Sequence, residues 1–378
     1  MGNFLSRTTN ITRYKVNVDL SQDFWDSLRS KLAEHAFHSI DDEPSLVSFG
    51  WTSFDDMLDT DFPTITYDRG GYICVGFRID TRRLPAAVVK KDFDIAVKEE
   101  RQLTQKNFIS RDRKNELKEQ VKLRLMSKVP PVPEFFQVIW DVQKKNVYFN
   151  STSNSKIKTF EKLFLDSFDF MLVEISLSGM AVDLFGVEKA STLEDVAFAG
   201  VSDNDLRVRC NDEILGRDFL TWLLWCDEVG IDIADDNGDI LSFSVQQRVV
   251  ADRGTLGGRE TVAVSGPEND FLEAISGLAS GKKVSKASLW LGSEEGDWTL
   301  TLKADDARVY ALKTPKILKE EGAEEDPDGQ LLEKIYLIEK ALAMLDTLYA
   351  SFIKIRYSED WATQVKGIAS WIKSVANG

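Results

Sequence analysis

The chain has 378 residues, of which 43% are hydrophobic and 10% aromatic, so it can bury a sizeable core and wholesale disorder is excluded. Its 62 Asp and Glu outweigh 47 Lys and Arg, and the formal charge of −15 excludes a uniformly basic surface but not a local basic stripe. Cys74, Cys210 and Cys226 are too few for a disulfide framework or a zinc site, which favours a reducing compartment. No run of about 18 apolar residues occurs, and we expect a soluble intracellular protein.

Residues 1–87 are predicted to form an N-terminal α+β part. Tyr14, Val16 and Val18 alternate with polar residues, a pattern typical of a half-buried strand. Ser21 is a candidate N-cap for the helix that follows. Another strand is predicted over 72–79, and the chain then enters a different kind of segment.

Residues 88–134 are predicted to form a charged helical projection. Apolar residues such as Leu117, Val121 and Leu125 recur every four positions, which indicates one or two amphipathic helices. We place a break near 108–110. The prolines at 130–133 end the helical segment, because a proline lacks the amide hydrogen that a helix interior needs.

Three further parts are predicted after this projection. Residues 135–200 read as a hairpin, a helix and a strand, and residues 201–318 as a second α+β part with a turn at Asn237-Gly238. Residues 319–378 read as an acidic linker followed by two amphipathic helices. The order strand–strand–helix–strand favours an α+β fold with mixed, largely antiparallel sheets over a regularly alternating parallel sheet.

The sequence gives little support to a nucleotide-dependent or nucleophilic enzyme. Gly277 and Gly281 are four residues apart where a P-loop needs five, and Lys283 stands where the loop needs Ser or Thr. The only histidines, His35 and His38, lack surrounding ligands for a metal and disfavour a Ser-His-Asp arrangement. We therefore predict no enzymatic activity, no cofactor and no bound metal.

An acidic cluster leaves one catalytic alternative open. Asp232, Asp235, Asp236 and Asp239 surround the Asn237-Gly238 turn, but their spacing does not fit a calcium-binding EF-hand loop. A charged hairpin turn is the favoured interpretation. The alternative is a Mg²⁺ site of a nuclease, since carboxylates are the ligands that this ion prefers.

A basic segment points to nucleic acid. Between Arg78 and Lys128 the chain has 15 Lys and Arg against 8 Asp and Glu, a local charge of +7 that leaves −22 for the remainder. A solvated helix with i,i+4 ion pairs explains such runs, and so does a projection that contacts phosphates. A smaller cluster begins at Lys282. The candidate DNA-binding residues are Lys90, Arg101, Lys106, Arg111, Arg113, Lys114, Lys118, Lys122, Lys128, Lys282, Lys283 and Lys286.

The order of motifs resembles the RdgC family of recombination-associated proteins from about residue 10 to residue 315. None of the matching segments is diagnostic alone, and their shared order carries the resemblance. They are Tyr14-Lys15-Val16, Ala36-Phe37, 48–51, Ile73-Cys74, 84–90, 114–121, Ile139-Trp140-Asp141, Leu220-Thr221-Trp222, 281–286, Trp298, Leu302, Asp305 and Leu312-Lys313.

The resemblance implies a horseshoe-shaped protomer, two of which form a ring-like homodimer with a positively lined hole. It implies binding of double-stranded DNA with little sequence preference, which limits the access of recombinases or nucleases and involves no catalysis. A nucleoid-associated protein of the cytoplasm is expected. The residues agree with this reading, because phosphate contacts need a basic lining and no base-reading helix.

The chain also departs from the family pattern. It is longer, with an extended N-terminus and insertions around 179–215 and 248–272. We expect the run 129–133 to replace an aromatic residue at the tip of the projection, and the segment 241–247 to lack family lysines. A protein-interaction scaffold that has lost DNA binding is therefore the alternative function.

Overall fold

The computed structural model describes residues 3–63, 67–106, 108–199, 210–235, 237–255, 258–266, 271–317 and 326–376. Its helices are α1 (Gln22–Glu34), α2 (Ala86–Thr104), α3 (Arg111–Met126), α4 (Asn154–Phe168), α5 (Leu177–Ala190), α6 (Asn211–Val229), α7 (Leu272–Ala279), α8 (Pro327–Arg356) and α9 (Trp361–Ala376). Its strands are β1 (Thr9–Lys15), β2 (Val47–Thr52), β3 (Asp68–Arg69), β4 (Tyr72–Thr81), β5 (Val132–Asp141), β6 (Asn146–Phe149), β7 (Val173–Glu174), β8 (Ser242–Thr255), β9 (Gly258–Ser265), β10 (Lys283–Ser293), β11 (Gly296–Lys303) and β12 (Val309–Lys313).

The chain divides into two compact units, and the first comprises residues 16–147 and 154–172. In this unit β2, β4 and β5 pair antiparallel in that order, and β3 pairs with the start of β4. An aromatic core lies beside this sheet. The buried Trp51 donates a hydrogen bond from Nε1 to Ser167 Oγ on α4 at 2.8 Å. Its ring packs edge-on against Phe160, also on α4.

One buried arginine, Arg82, lies at the base of the hairpin that α2 and α3 form. Arg82 is 3% exposed. Its guanidinium donates hydrogen bonds to the carbonyl oxygens of Ile40, Glu43 and Ser45. It also donates from Nε to Val129 O at 2.7 Å, just beyond the end of α3. Arg82 thus fixes the base of this helical hairpin, since one fork satisfies carbonyls from separate loops.

The second unit comprises residues 2–15, 148–153 and 173–378. Its strands pair antiparallel in the order β1-β12-β11-β10-β8-β9, and β7 pairs with β1. Along β10 the alternate residues Leu289 and Leu291 are buried on the face that helices cover. On the same face Trp298 of β11 donates from Nε1 to Leu337 O of α8 at 2.8 Å.

Helix α6 is the buried centre of the second unit. Every residue from 214 to 226 is buried, so the helix has no solvent-facing stripe. Gly216 permits its closest approach to another chain segment, because a Cβ there would lie 2.1 Å from Ala304 O.

The α+β class with largely antiparallel pairing is confirmed. The helix predicted after Ser21 is confirmed, and the Ser21 hydroxyl accepts a hydrogen bond from Phe24 N at 3.3 Å. The break near 108–110 and the two C-terminal helices are also confirmed. The strand predicted at the end of the hairpin, helix and strand of residues 135–200 is only two residues long.

Candidate nucleic-acid interface

Most of the basic candidates lie on the hairpin of α2 and α3. Arg113 pairs with Glu100 at 2.8 Å and Arg124 with Asp92 at 3.4 Å, so the two helices run antiparallel. Helix α3 buries Leu117 and three further apolar residues, whereas no residue of α2 is fully buried. The hairpin is therefore held by one apolar seam of α3 and by ion pairs along its sides.

Three cations of the hairpin, Arg113, Lys122 and Arg124, are already neutralised by neighbouring carboxylates. Arg113 pairs with Glu116 at 2.8 Å in addition to Glu100, and it holds the pKa of the Glu100 carboxyl below its usual value through a side-chain hydrogen bond. Lys122 pairs with Glu119 at 2.6 Å. These pairs are partly solvent-exposed and contribute little to stability, but each reduces the charge that a phosphate would meet.

The remaining candidates of the hairpin form no ion pair within the part of the chain that the structure describes. Arg111, Lys114, Lys118 and the paired Lys122 are spaced by three, four and four residues, so they lie along one stripe of α3. The ammonium of Lys114 lies 6.0 Å from the centre of the Phe108 ring. The predicted candidates of the hairpin without an ion pair among the described residues are Lys90, Arg101, Lys106, Arg111, Lys114, Lys118 and Lys128.

The tip of the hairpin lies between Thr104 and Arg111, and the prediction that it lacks an aromatic residue is wrong. Phe108 stands at this tip with 78% of its surface exposed. The run 129–133 lies instead at the base, between α3 and β5. The prediction placed the tip at the prolines because they end the helix, but the chain reverses earlier, where Gln105 adopts a φ of 53°.

The three lysines of the second predicted cluster have different surroundings. Lys282 donates to Ser280 Oγ at 3.0 Å and lies 3.4 Å from a carboxylate oxygen of Glu260. Lys283 is buried, and its ammonium donates to Asp218 at 2.7 Å and to Asp195 at 2.6 Å. A phosphate cannot reach this ammonium without breaking both bonds, so we leave Lys283 out of the interface.

Lys286 belongs to a cluster of three cations on the uncovered face of the second unit's sheet. It is the direct partner of Lys303 across β10 and β11, and Arg248 approaches from β8. Burial first, and then the charges of Arg248 and Lys303, hold the pKa of Lys286 below its usual value of 10.5. None of the three forms an ion pair in the described part of the chain; the Lys303 ammonium lies 3.9 Å from the centre of the Tyr310 ring.

We name Arg248, Lys286 and Lys303 the sheet cation cluster. The sequence analysis missed Arg248 and Lys303, although one signal for them was present. In β10 and β11 every second residue is apolar, so Lys286 and Lys303 fall on the opposite face of their strands. Whether Lys286 and Lys303 pair depends on the register of the two strands, and this register cannot be predicted from the number of charges in a segment.

Within the described residues, the acidic turn does not gather ligands for a metal. Asp235 Oδ1 accepts hydrogen bonds from the backbone amides of Asn237 and Asp239 at 2.8 and 2.9 Å, which is an Asx turn. Asp236 lies outside the described residues. Among the described residues, no group of three or more His, Cys, Asp or Glu is placed to hold a metal ion, and no helix is long and apolar enough to cross a membrane.

Part of the chain is similar to a known protein family. Residues 8–181 match the family model described as "RdgC: Putative exonuclease, RdgC". The matched range runs from β1 into α5 and includes the whole helical hairpin. No curated protein matches the chain. The resemblance noted in the sequence is thereby confirmed over this range, and the sheet cation cluster lies beyond it.

Proposed function

We propose that this chain, whose residues 8–181 match the RdgC family model, binds double-stranded DNA through its phosphates with little sequence preference. The observation that carries the proposal is the sheet cation cluster, in which three like charges lie together and form no ion pair in the described part of the chain, although the charge of Asp306 also acts on Lys303. Bringing like charges together costs free energy, and an anion that binds there removes this cost. Arg111, Lys114 and Lys118, which lie along α3 and form no ion pair in the described part of the chain, supply a second set of phosphate contacts.

Phosphate contact is also the mode that suits the composition of this protein. The net charge of −15 opposes general adhesion to DNA, so binding must use local basic surfaces. Contacts with phosphates carry no direct sequence information, because every nucleotide presents the same backbone. We propose that the protein acts in recombination in this way and limits the access of recombinases or nucleases, as a nucleoid-associated protein of the cytoplasm.

We further propose a ring-like homodimer that encircles the duplex. Phe108 supports self-association, since a large aromatic ring that is 78% exposed at the end of a hairpin is a suitable contact for a second copy. Light scattering should give a dimer for the wild type. Phe108→Ser should shift the population towards monomers, and a dimer fraction that is unchanged would overturn the role of this residue.

We propose that DNA is bound and not cleaved, although the family description contains the word exonuclease. Labelled duplex incubated with Mg²⁺ or Mn²⁺ should remain at full length. Any shortening that depends on the added ion would contradict the proposal and favour the nuclease alternative, in which Asp232, Asp235 and Asp239 would be the first residues to replace.

The central test is anisotropy of a labelled duplex of about 40 base pairs, titrated from about 50 to 300 mM salt, with a scrambled sequence as control. We expect equal affinities for both sequences and a slope of log affinity against log salt of several units. No binding at the lowest salt would overturn the proposal, and a protein-interaction scaffold would then be the better reading of the acidic chain.

A further inference from the structure

The uncovered face of the second unit's sheet carries three rows of side chains across neighbouring strands. The first row comprises Trp290 of β10, Thr299 of β11 and Lys313 of β12. Thr299 is the register partner of Trp290 on one side and of Lys313 on the other. The next row contains Ser288 and Thr301, whose hydroxyl groups lie 3.1 Å apart. The sheet cation cluster follows, so an indole, hydroxyl groups and cations succeed one another on one face.

Two backbone irregularities form a concavity around the indole. In β8 the residues 246–248 stand opposite the single residue Ser288, and Gln247 adopts a φ of 63°. In β12 the register also shifts, and Ala311 adopts a φ of 51°. Residues other than glycine adopt such angles only where the surrounding structure holds them, and bulges of this kind re-aim side chains beside binding sites.

The concavity is lined by groups that can bind a flat polar molecule. Its lining residues include Trp290, Gln246, Gln247, Ser288, Thr301 and Lys313. Amide groups both donate and accept hydrogen bonds, as the edges of nucleobases do. Lys313, two strands away from Trp290 in the same row, supplies a contact for a negative group on the same molecule.

Trp290 lies flat on the sheet, and a glycine makes this possible. A Cβ at Gly292, two residues along the same face, would lie 2.4 Å from Cη2 of the indole, so the ring occupies the space of a missing side chain. Trp290 is half-buried and has no ring, cation or hydrogen-bond partner in the described part of the chain. An aromatic ring held flat on a sheet face is the geometry on which unpaired bases stack.

We propose that this concavity binds an unpaired base of single-stranded nucleic acid, which stacks on Trp290 while its phosphates contact Lys313 and the sheet cation cluster. Trp290 and Lys286 are four residues apart on one strand, or about 13 Å, so the ring and the cluster contact different nucleotides. A neutral sugar would stack on the ring but leave the cations unused. The inference rests on the proposed function, because both use the sheet cation cluster.

Two carboxylates also lie near the site and limit its net charge. Asp297 is the register partner of Gly292 on β11. Asp306 accepts a hydrogen bond from the Tyr310 hydroxyl at 2.8 Å. With four cations against these two acids the face remains positive, so a polyanion is favoured over a neutral or a cationic ligand.

The test compares oligo(dT) of about 15 nucleotides with the duplex, using the full chain and the variants Trp290→Leu and Trp290→Phe. Stacking is worth roughly ten- to a hundredfold in affinity per base, so Trp290→Leu should weaken oligo(dT) binding by that factor. Trp290→Phe should retain most of the affinity, and both variants should bind duplex as the wild type does. Trp371→Leu, a half-buried tryptophan of α9, is the matched control.

Salt dependence separates stacking from charge. The loss caused by Trp290→Leu should be the same at about 50 and 200 mM salt, whereas the loss caused by Lys286→Gln should shrink as salt rises. Fluorescence adds a direct readout, because oligo(dT) should quench wild-type emission more than that of Trp290→Phe.

An equal loss of duplex and oligo(dT) binding in Trp290→Leu would overturn the inference, since it would show that the ring supports the fold of the face. Unchanged oligo(dT) binding would also overturn it. Failure of the wild type to bind either nucleic acid would instead overturn the proposed function, so the two failures are distinguishable.

Discussion

The helical hairpin and the sheet cation cluster are both basic, but their charges have different origins. On the hairpin the cations are close in sequence, and carboxylates of the same segment neutralise Arg113, Lys122 and Arg124. In the cluster the cations come from three strands that are distant in sequence, and no carboxylate pairs with them in the described part of the chain. A high local charge in a sequence is therefore a weaker indicator of an anion site than a few cations that register brings together.

The largest expected effect is on the free energy of unfolding, and it distinguishes a buried lysine from a lysine of the sheet face in the same strand, β10. Lys283→Ala should destabilise the protein by about 3–5 kcal/mol, because it leaves the buried Asp218 with Arg356 as its remaining cation. Urea denaturation measures this change. Lys286→Ala is the matched control and should alter the free energy of unfolding by less than about 1 kcal/mol. Equal effects of the two substitutions would contradict the assignment of Lys283 to the core.

The next effect tests the sheet cation cluster as a phosphate site. Replacing Arg248, Lys286 and Lys303 together by Gln should reduce the slope of log affinity for duplex against log salt by about two to three units, since each lost phosphate contact removes about 0.9. Removal of three mutually repelling charges should leave the folded state intact. A slope equal to that of the wild type would show that this cluster does not contact DNA.

A smaller effect is expected on the hairpin, where paired and unpaired cations can be compared directly. Replacing Arg111, Lys114 and Lys118 by Gln should lower the salt slope by about one to two units. The same replacement of Arg113, Lys122 and Arg124 is the control, and we expect little change because carboxylates already neutralise these groups. If the paired set matters more, the ion pairs must open on binding, and paired cations are then as available to phosphate as unpaired ones.

The parts of this fold that could be predicted from the sequence are those with a clear period. The amphipathic helices α1, α3 and α8 are examples, as is the hairpin as a whole. Helix α6 was not predicted, because residues 214–226 are buried on all sides and carry no period of 3.6. Such a run is indistinguishable from a buried strand by hydrophobicity alone.

The candidate site was predicted less well than the fold, for a related reason. Lys282, Lys283 and Lys286 are neighbours in the sequence, yet one pairs at the surface, one is buried and one belongs to the sheet cation cluster. Which of these surroundings a lysine has depends on strand register and on the helix packed behind it. Neither the register nor the packed helix can be predicted from the local composition of the sequence.

The smallest expected effect concerns pH and is specific to Lys286. Burial and the neighbouring cations disfavour its charged form, so its pKa lies below 10.5, and a phosphate binds only the charged form. Duplex affinity should therefore be greatest below this depressed pKa and should fall as pH rises through it. Lys286→Arg keeps its charge over the same range, because a guanidinium has a pKa well above that of an ammonium group and stays protonated. Anisotropy from about pH 7 to 10 should show a loss of up to about tenfold for the wild type that exceeds the loss for Lys286→Arg. Parallel curves for the two proteins would mean that Lys286 is not in contact with phosphate, and the sheet cation cluster would then depend on Arg248 and Lys303 alone.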